Sequence, residues 1–146
     1  AANDRASHAY RGLTIRNSPM FGEVGRAYVY FIYGNHFCLN VSARSDERRA
    51  GAVLLRALEP CEGIHIMNKL RNSQNIHDLT SGPGKICQGM DINKSQNYLD
   101  MTDPQSELRI EYVKQDCIRE IAVTQRVRVR YATNKKWRFA FNPVPS

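Results

Sequence analysis

The sequence predicts an α+β fold: a single domain over residues 1–146, built on a curved antiparallel β-sheet with a β-hairpin and a few short helices. Three observations predict it. Residues Ala27–Tyr33 are almost all aromatic or β-branched, and after the turn residues Gly34-Asn35 a second apolar run, His36–Ser42, returns as a partner strand. Helical spacing is confined to short stretches. A chain of 146 residues with 42% hydrophobic residues has material for one core and too little for two.

In chain order, residues 1–25 read as irregular, because Gly, Pro, Asn and Ser interrupt any apolar period. The hairpin of residues 27–33 and 36–42 follows, then a charged tip from Arg44 to Arg49. Residues 52–58 form a short apolar third strand. Pro60 opens a helix to about Arg71, with Ile64, Met67 and Leu70 at helical spacing. Residues 72–80 are a polar connection. Ser81-Gly82-Pro83-Gly84-Lys85 leads into a short helix over residues 86–90. Alternating patterns predict strands at 108–113, 126–131 and 137–141.

The formal charge is +7, from 21 Lys and Arg against 14 Asp and Glu. Between Arg119 and Arg138 there are seven basic residues and one acid, Glu120. Such a field attracts polyanions, although a solvated basic face without a partner gives the same pattern. No apolar stretch is long enough to cross a bilayer, so no membrane partner is expected. The opening Ala1-Ala2-Asn3-Asp4-Arg5 lacks a secretory-signal pattern, and without an initiator Met the natural start is expected elsewhere. The four cysteines, Cys38, Cys61, Cys87 and Cys117, are widely and irregularly spaced, as expected of free thiols in a reducing compartment. His8, His36, His65 and His77 have no metal-ligand spacing, and no serine lies in a nucleophile elbow. No metal or cofactor is expected.

Three features could carry chemistry. On a strand, Tyr28 and Tyr30 share one face while Val29 and Phe31 share the other, and Tyr33 falls at the turn. Tyrosines beside a basic surface can stack on nucleobases, and they can equally fill a core. Arg56, in an apolar strand, must reach solvent, bind an anion, or pair with an acid such as Glu59. Ser81-Gly82-Pro83-Gly84-Lys85 resembles half a phosphate loop, but Ile86 stands where a nucleotide-binding loop needs Ser or Thr. A contact to a nucleic-acid phosphate fits it better than a nucleotide site.

The order of these segments resembles the alkyladenine (3-methyladenine) DNA glycosylase family. The markers are Asp4 with Ala6-Ser7-His8, residues 25–34, 37–42 and 52–60, then 81–88, Ile92-Asn93-Lys94-Ser95 and Trp137-Arg138-Phe139. The resemblance implies a base-excision-repair enzyme that flips a damaged purine out of duplex DNA and hydrolyses its N-glycosidic bond. It implies that Tyr33 wedges into the gap and that His8 and Tyr30 wall the base pocket. Asn40 would exclude the exocyclic amine of guanine. Arg56 would contact the DNA backbone, as would Arg71, Lys85 and Lys94.

The family's catalytic glutamate lies upstream of the Asp-x-x-x-His segment, which places it before Ala1. The resemblance therefore implies an N-terminally truncated domain with no catalytic residue of its own and little or no activity. Arg128 and Arg130 stand where the family usually carries glycine, and Asn35 and His36 replace hydrophobic or aromatic residues.

The expected partner is double-stranded DNA containing damaged purines, bound by a monomer inside the cell (bacterial cytoplasm or eukaryotic nucleus). Two other functions fit the residues. One is a damaged-DNA-binding module that does not cut. The other is a basic RNA-binding domain, since α+β folds with exposed tyrosines also serve there.

Overall fold

The computed structural model describes residues 3–112 and 120–141. Its centre is a three-stranded antiparallel sheet in the order β1 (Ala27–Ile32), β2 (His36–Ser42), β3 (Ala52–Leu54). Register follows the side-chain pattern: Tyr28 pairs with Asn40, Val29 with Leu39 and Tyr30 with Cys38, while Asn40 pairs on its other edge with Leu54. The ladder continues one step past β3, where Leu55 N–H donates to Leu39 O over 3.1 Å.

Alternation sends the two halves of this sheet into separate apolar clusters. Ala27, Val29 and Leu39 face a cluster completed by Cys87, Ile92, Met101 and Leu108. The helix α3 (Pro83–Gly89) packs against β2 on this side. Tyr28 faces the opposite cluster, with Ala9, Met20 and Ala50, against which Tyr30 and Ala52 pack. The sheet is thus covered on one face by a helix and on the other by the irregular N-terminal segment.

That segment holds its shape through Asn17, which is buried. Its side-chain amide donates to His8 O and Gly12 O, 2.9 Å each, while its side-chain oxygen accepts from Thr14 N–H over 2.7 Å. One amide satisfies three backbone groups that no sheet or helix would otherwise pair.

The turn between β1 and β2 is centred on Tyr33-Gly34, one residue earlier than the sequence predicts. Both have positive φ, 56° and 75°, the φ combination of a type I′ turn, and Asn35 N–H donates to Ile32 O. The helix predicted from Pro60 begins instead at Ile64 and ends at Arg71 (α1), because Gly63 at its N-cap is left-handed with φ 66°. The third strand stops at Leu54 rather than Leu58. A short α2 (Ile76–Leu79) occupies part of the predicted connection, capped by the Asn75 side chain accepting from His77 N–H.

Two predicted strands are absent among the described residues. Residues 108–112 have no strand partner, and Ile110 N–H is bonded singly to Met101 O; Val113 lies outside the described residues. Residues 126–131 are not extended, since Arg128 takes a left-handed φ of 56°. The strand lies just before them, as β4 (Ile121–Thr124), paired antiparallel with β5 (Arg138–Phe141) in a separate ribbon.

Cys38, Cys61 and Cys87 are free, with Cys61 exposed and the other two buried; Cys117 lies outside the described residues. No described helix is long and apolar enough to cross a membrane.

Candidate nucleic-acid interface

The register of β1 and β2 places Tyr28, Tyr30, Cys38 and Asn40 side by side on one face of the sheet. His8 reaches the same face from the N-terminal segment. Its Nδ1 shares a hydrogen bond of 2.8 Å with the Tyr28 hydroxyl, and its ring meets that of Tyr30 edge-on at 4.6 Å between centroids. The rings of Tyr28 and Tyr30 lie 5.2 Å apart. Asn40 is buried, and its amide donates to Tyr28 O over 3.1 Å. His8, Tyr30 and Asn40, which the family resemblance groups as pocket residues, are linked through Tyr28, whose hydroxyl and ring meet His8 and Tyr30 and whose backbone oxygen accepts from Asn40.

Burial sets the electrostatics of this face. It pushes the Tyr28 hydroxyl up to about 12 and that of Tyr30 higher still, Cys38 adding to the effect at Tyr30. It also lowers the pKa of His8, and the nearby Arg16 charge lowers it further. Near neutral pH the three side chains are uncharged hydrogen-bonding groups on an aromatic wall. Arg16 supplies the local cation: its guanidinium lies 5.3 Å from the Tyr30 ring centroid and donates to Phe31 O over 2.9 Å.

Arg56 lies beyond β3 on the same alternation as Leu54, and its charge acts on the Cys38 thiol. Its guanidinium donates to Val127 O over 3.2 Å, so the cation links the sheet to the segment after β4.

Tyr33 is placed differently. It stands at the apex of the hairpin, 88% exposed, in a left-handed conformation that costs a bulky residue about 1–2 kcal/mol. Phe31 and Phe37 form an aromatic pair just behind the turn, with centroids 5.0 Å apart.

The remaining predicted cations divide. Lys94 is exposed on the 3₁₀ turn Lys94–Gln96, which packs beside β1. Arg71 and Lys85 are not free cations: both bind the carboxylate of Asp78.

Sequence reasoning passed over three residues that organise the site. Asn17 holds the His8 backbone, Arg16 covers the Tyr30 ring, and Arg126 binds the Asp4 carboxylate through two hydrogen bonds of 2.6 and 3.0 Å. Partners 9, 14 and 122 residues apart leave no local pattern that a single sequence could display. Arg126 also donates to Ala132 O over 2.8 Å and lies over the Trp137 ring. Burial tends to raise the Asp4 pKa, yet Arg126, with the Ala6 N–H and the more distant Lys135, holds it below the ordinary value.

Comparison with known proteins gives the family. The family described as methylpurine-DNA glycosylase matches residues 1–145. Among curated proteins, one from Francisella tularensis subsp. tularensis is 40% identical over 139 residues, covering 94% of this chain and 71% of that protein. One from Chlorobium phaeovibrioides is 42% identical over 135 residues, covering 92% and 67%. One from Clostridium botulinum is 41% identical over 150 residues, covering 94% and 72%. All three carry the name "Putative 3-methyladenine DNA glycosylase". The chain belongs to the methylpurine-DNA glycosylase family.

Proposed function

We propose that this chain acts in base excision repair as a DNA glycosylase domain, binding damaged purine nucleotides turned out of double-stranded DNA. The observation that carries the reading is Tyr33, an exposed ring held at a hairpin apex in a left-handed conformation, just beyond the strand whose Tyr28 and Tyr30 form an aromatic face. An extruded base leaves a gap in the stack, and a planar side chain that fills it offsets the few kcal/mol of unstacking. Tyr30 and His8 supply aromatic surface for the extruded base. Alkylation makes a purine electron-poor or cationic, which favours a tyrosine face. Asn40 supplies a polar edge beside them, and Lys94 and Arg56 supply cations for backbone phosphates, joined by Arg71 and Lys85 where a phosphate replaces the Asp78 carboxylate that both bind, a sequence-independent source of affinity.

Hydrolysis of the glycosidic bond requires a carboxylate to activate water and stabilise the sugar cation. None of the residues that meet on the tyrosine face (His8, Tyr28, Tyr30, Cys38, Asn40 and Arg56) is one. Asp4, the acid nearest to His8 in sequence, is already bound by Arg126. That favours a second reading for the chain taken by itself, in which it binds damaged DNA and releases little base.

One experiment tests both. Binding to duplexes with and without a central ethenoadenine is measured for the chain and for Tyr33→Ala, together with release of the free base. Lesion-selective binding that Tyr33→Ala abolishes supports recognition by extrusion. Binding without lesion preference, or equal binding by Tyr33→Ala, sinks it. Rapid base release by the chain alone would sink the second reading, and tighter binding to single-stranded RNA would favour an RNA-binding role.

A further inference from the structure

Three elements converge on one carboxylate. Asp78 on α2 accepts through Oδ1 from the Lys85 ammonium on α3, and through Oδ2 from Arg71 at the end of α1, 3.4 Å away. Lys85 also donates to Ser81 Oγ over 3.2 Å, and Arg71 to the Gln88 side-chain oxygen. The members differ in access to water. The side chains of Lys85 and Asp78 are 38% and 39% exposed, while Arg71 is 12% exposed.

The position matters as much as the chemistry. A Cβ on Gly84 would come within 3.1 Å of the His36 ring, so the backbone next to Lys85 lies directly against the first residue of β2. The start of α3, which carries Lys85, is therefore packed against the hairpin whose apex carries Tyr33. A phosphodiester, like a carboxylate, presents two anionic oxygens to neighbouring donors, and an ion pair this exposed exchanges readily.

We infer that Lys85, Ser81 and Arg71 form a binding site for a DNA backbone phosphate, and that Asp78 occupies it in the free protein as an intramolecular competitor. On binding, a phosphate takes Lys85 from Asp78, while Arg71 stays anchored to Gln88 behind it. The competition lowers affinity for undamaged DNA, which suits a protein that must leave sites carrying no lesion. This rests on the reading of the chain as a duplex-DNA binder.

The test is a double-mutant cycle on binding to an undamaged duplex over a range of salt concentrations, with wild type, Asp78→Asn, Lys85→Gln and the double variant, each checked for an unchanged melting profile. Asp78→Asn is expected to tighten binding several-fold and to steepen the dependence of log K on log salt by about 1, the signature of one added phosphate contact. In the Lys85→Gln background the same change is expected to do nothing. Equal tightening with or without Lys85 would show that Asp78 acts only through general charge and would overturn the site. So would unchanged affinity in Asp78→Asn while lesion-selective binding persists, a result that spares the functional reading. Absence of any duplex binding by the wild-type chain would sink that reading and this inference together.

Discussion

The β1–β3 sheet and the β4–β5 ribbon are both antiparallel, yet they are held in opposite ways. The sheet buries Tyr28 and Leu39 to 1% exposure on its two faces. The ribbon leaves its apolar cross-strand pairs, Ile121 with Phe141 and Val123 with Phe139, about half exposed or more. Among the described residues, the side-chain contacts that tie the ribbon region to the remainder include Arg126 to Asp4, Arg56 to Val127 O, and Arg5 and Arg48 over the rings of Tyr131 and Trp137. Non-directional burial supports the site's wall, while a few directional contacts place the segment that touches Arg56. The two regions are expected to respond to different perturbations.

The largest effect is expected at the sheet. Tyr28→Ala removes a buried ring and the hydroxyl partner of His8, and should cost about 3–5 kcal/mol, read as the shift of a denaturant unfolding curve. A cost below 1 kcal/mol would mean that the tyrosine face is looser than its burial implies.

Next is the ribbon anchor. Arg126→Ala leaves the Asp4 carboxylate buried without its partner and should cost about 3 kcal/mol. Hydrogen exchange should show the loss concentrated in residues 121–141, with β1 and β2 still protected. Equal loss of protection in both regions would erase the distinction between them.

At the hairpin apex the sign reverses. Tyr33→Gly relieves a left-handed tyrosine and should stabilise the fold by about 1 kcal/mol while weakening lesion-selective binding. Destabilisation would show that the ring contributes to packing rather than to recognition.

The smallest effects are pH-dependent, and they separate the regions by window. Asp4 has a lowered pKa in the folded state, so its contribution is complete above its unfolded value of 3.8 and is lost as pH falls through the folded value. His8 is also lowered, so its neutral form stabilises the fold above the ordinary value of 6.5, and that contribution fades as pH drops below it. Thermal unfolding followed between pH 7 and 3 should show a slight early decline removed by His8→Gln and a later one removed by Asp4→Asn.

The sheet and its aromatic face were legible because period-2 alternation is local. Tyr28 and Tyr30 on one side, and Val29 on the other, follow from residues adjacent in the chain, while the pairing of Val29 with Leu39 is set by register. The turn was displaced because Tyr33, not a glycine or asparagine, takes the first left-handed position. The ribbon was mislocated for the opposite reason: Arg126–Tyr131 alternates well, but Arg128 departs from extended geometry, and the pairing goes to Ile121–Thr124 instead. A strand needs a partner as well as a pattern.

Sequence alone determined the α+β class, the hairpin and the family resemblance, because each rests on short-range pattern or on motif order. Tertiary structure decided which charges are free. It placed Asp78 between Arg71 and Lys85, Asp4 on Arg126, and Arg56 against Val127 O. Charge pairing depends on distances that chain folding creates between remote residues, and a count of cations carries no record of them.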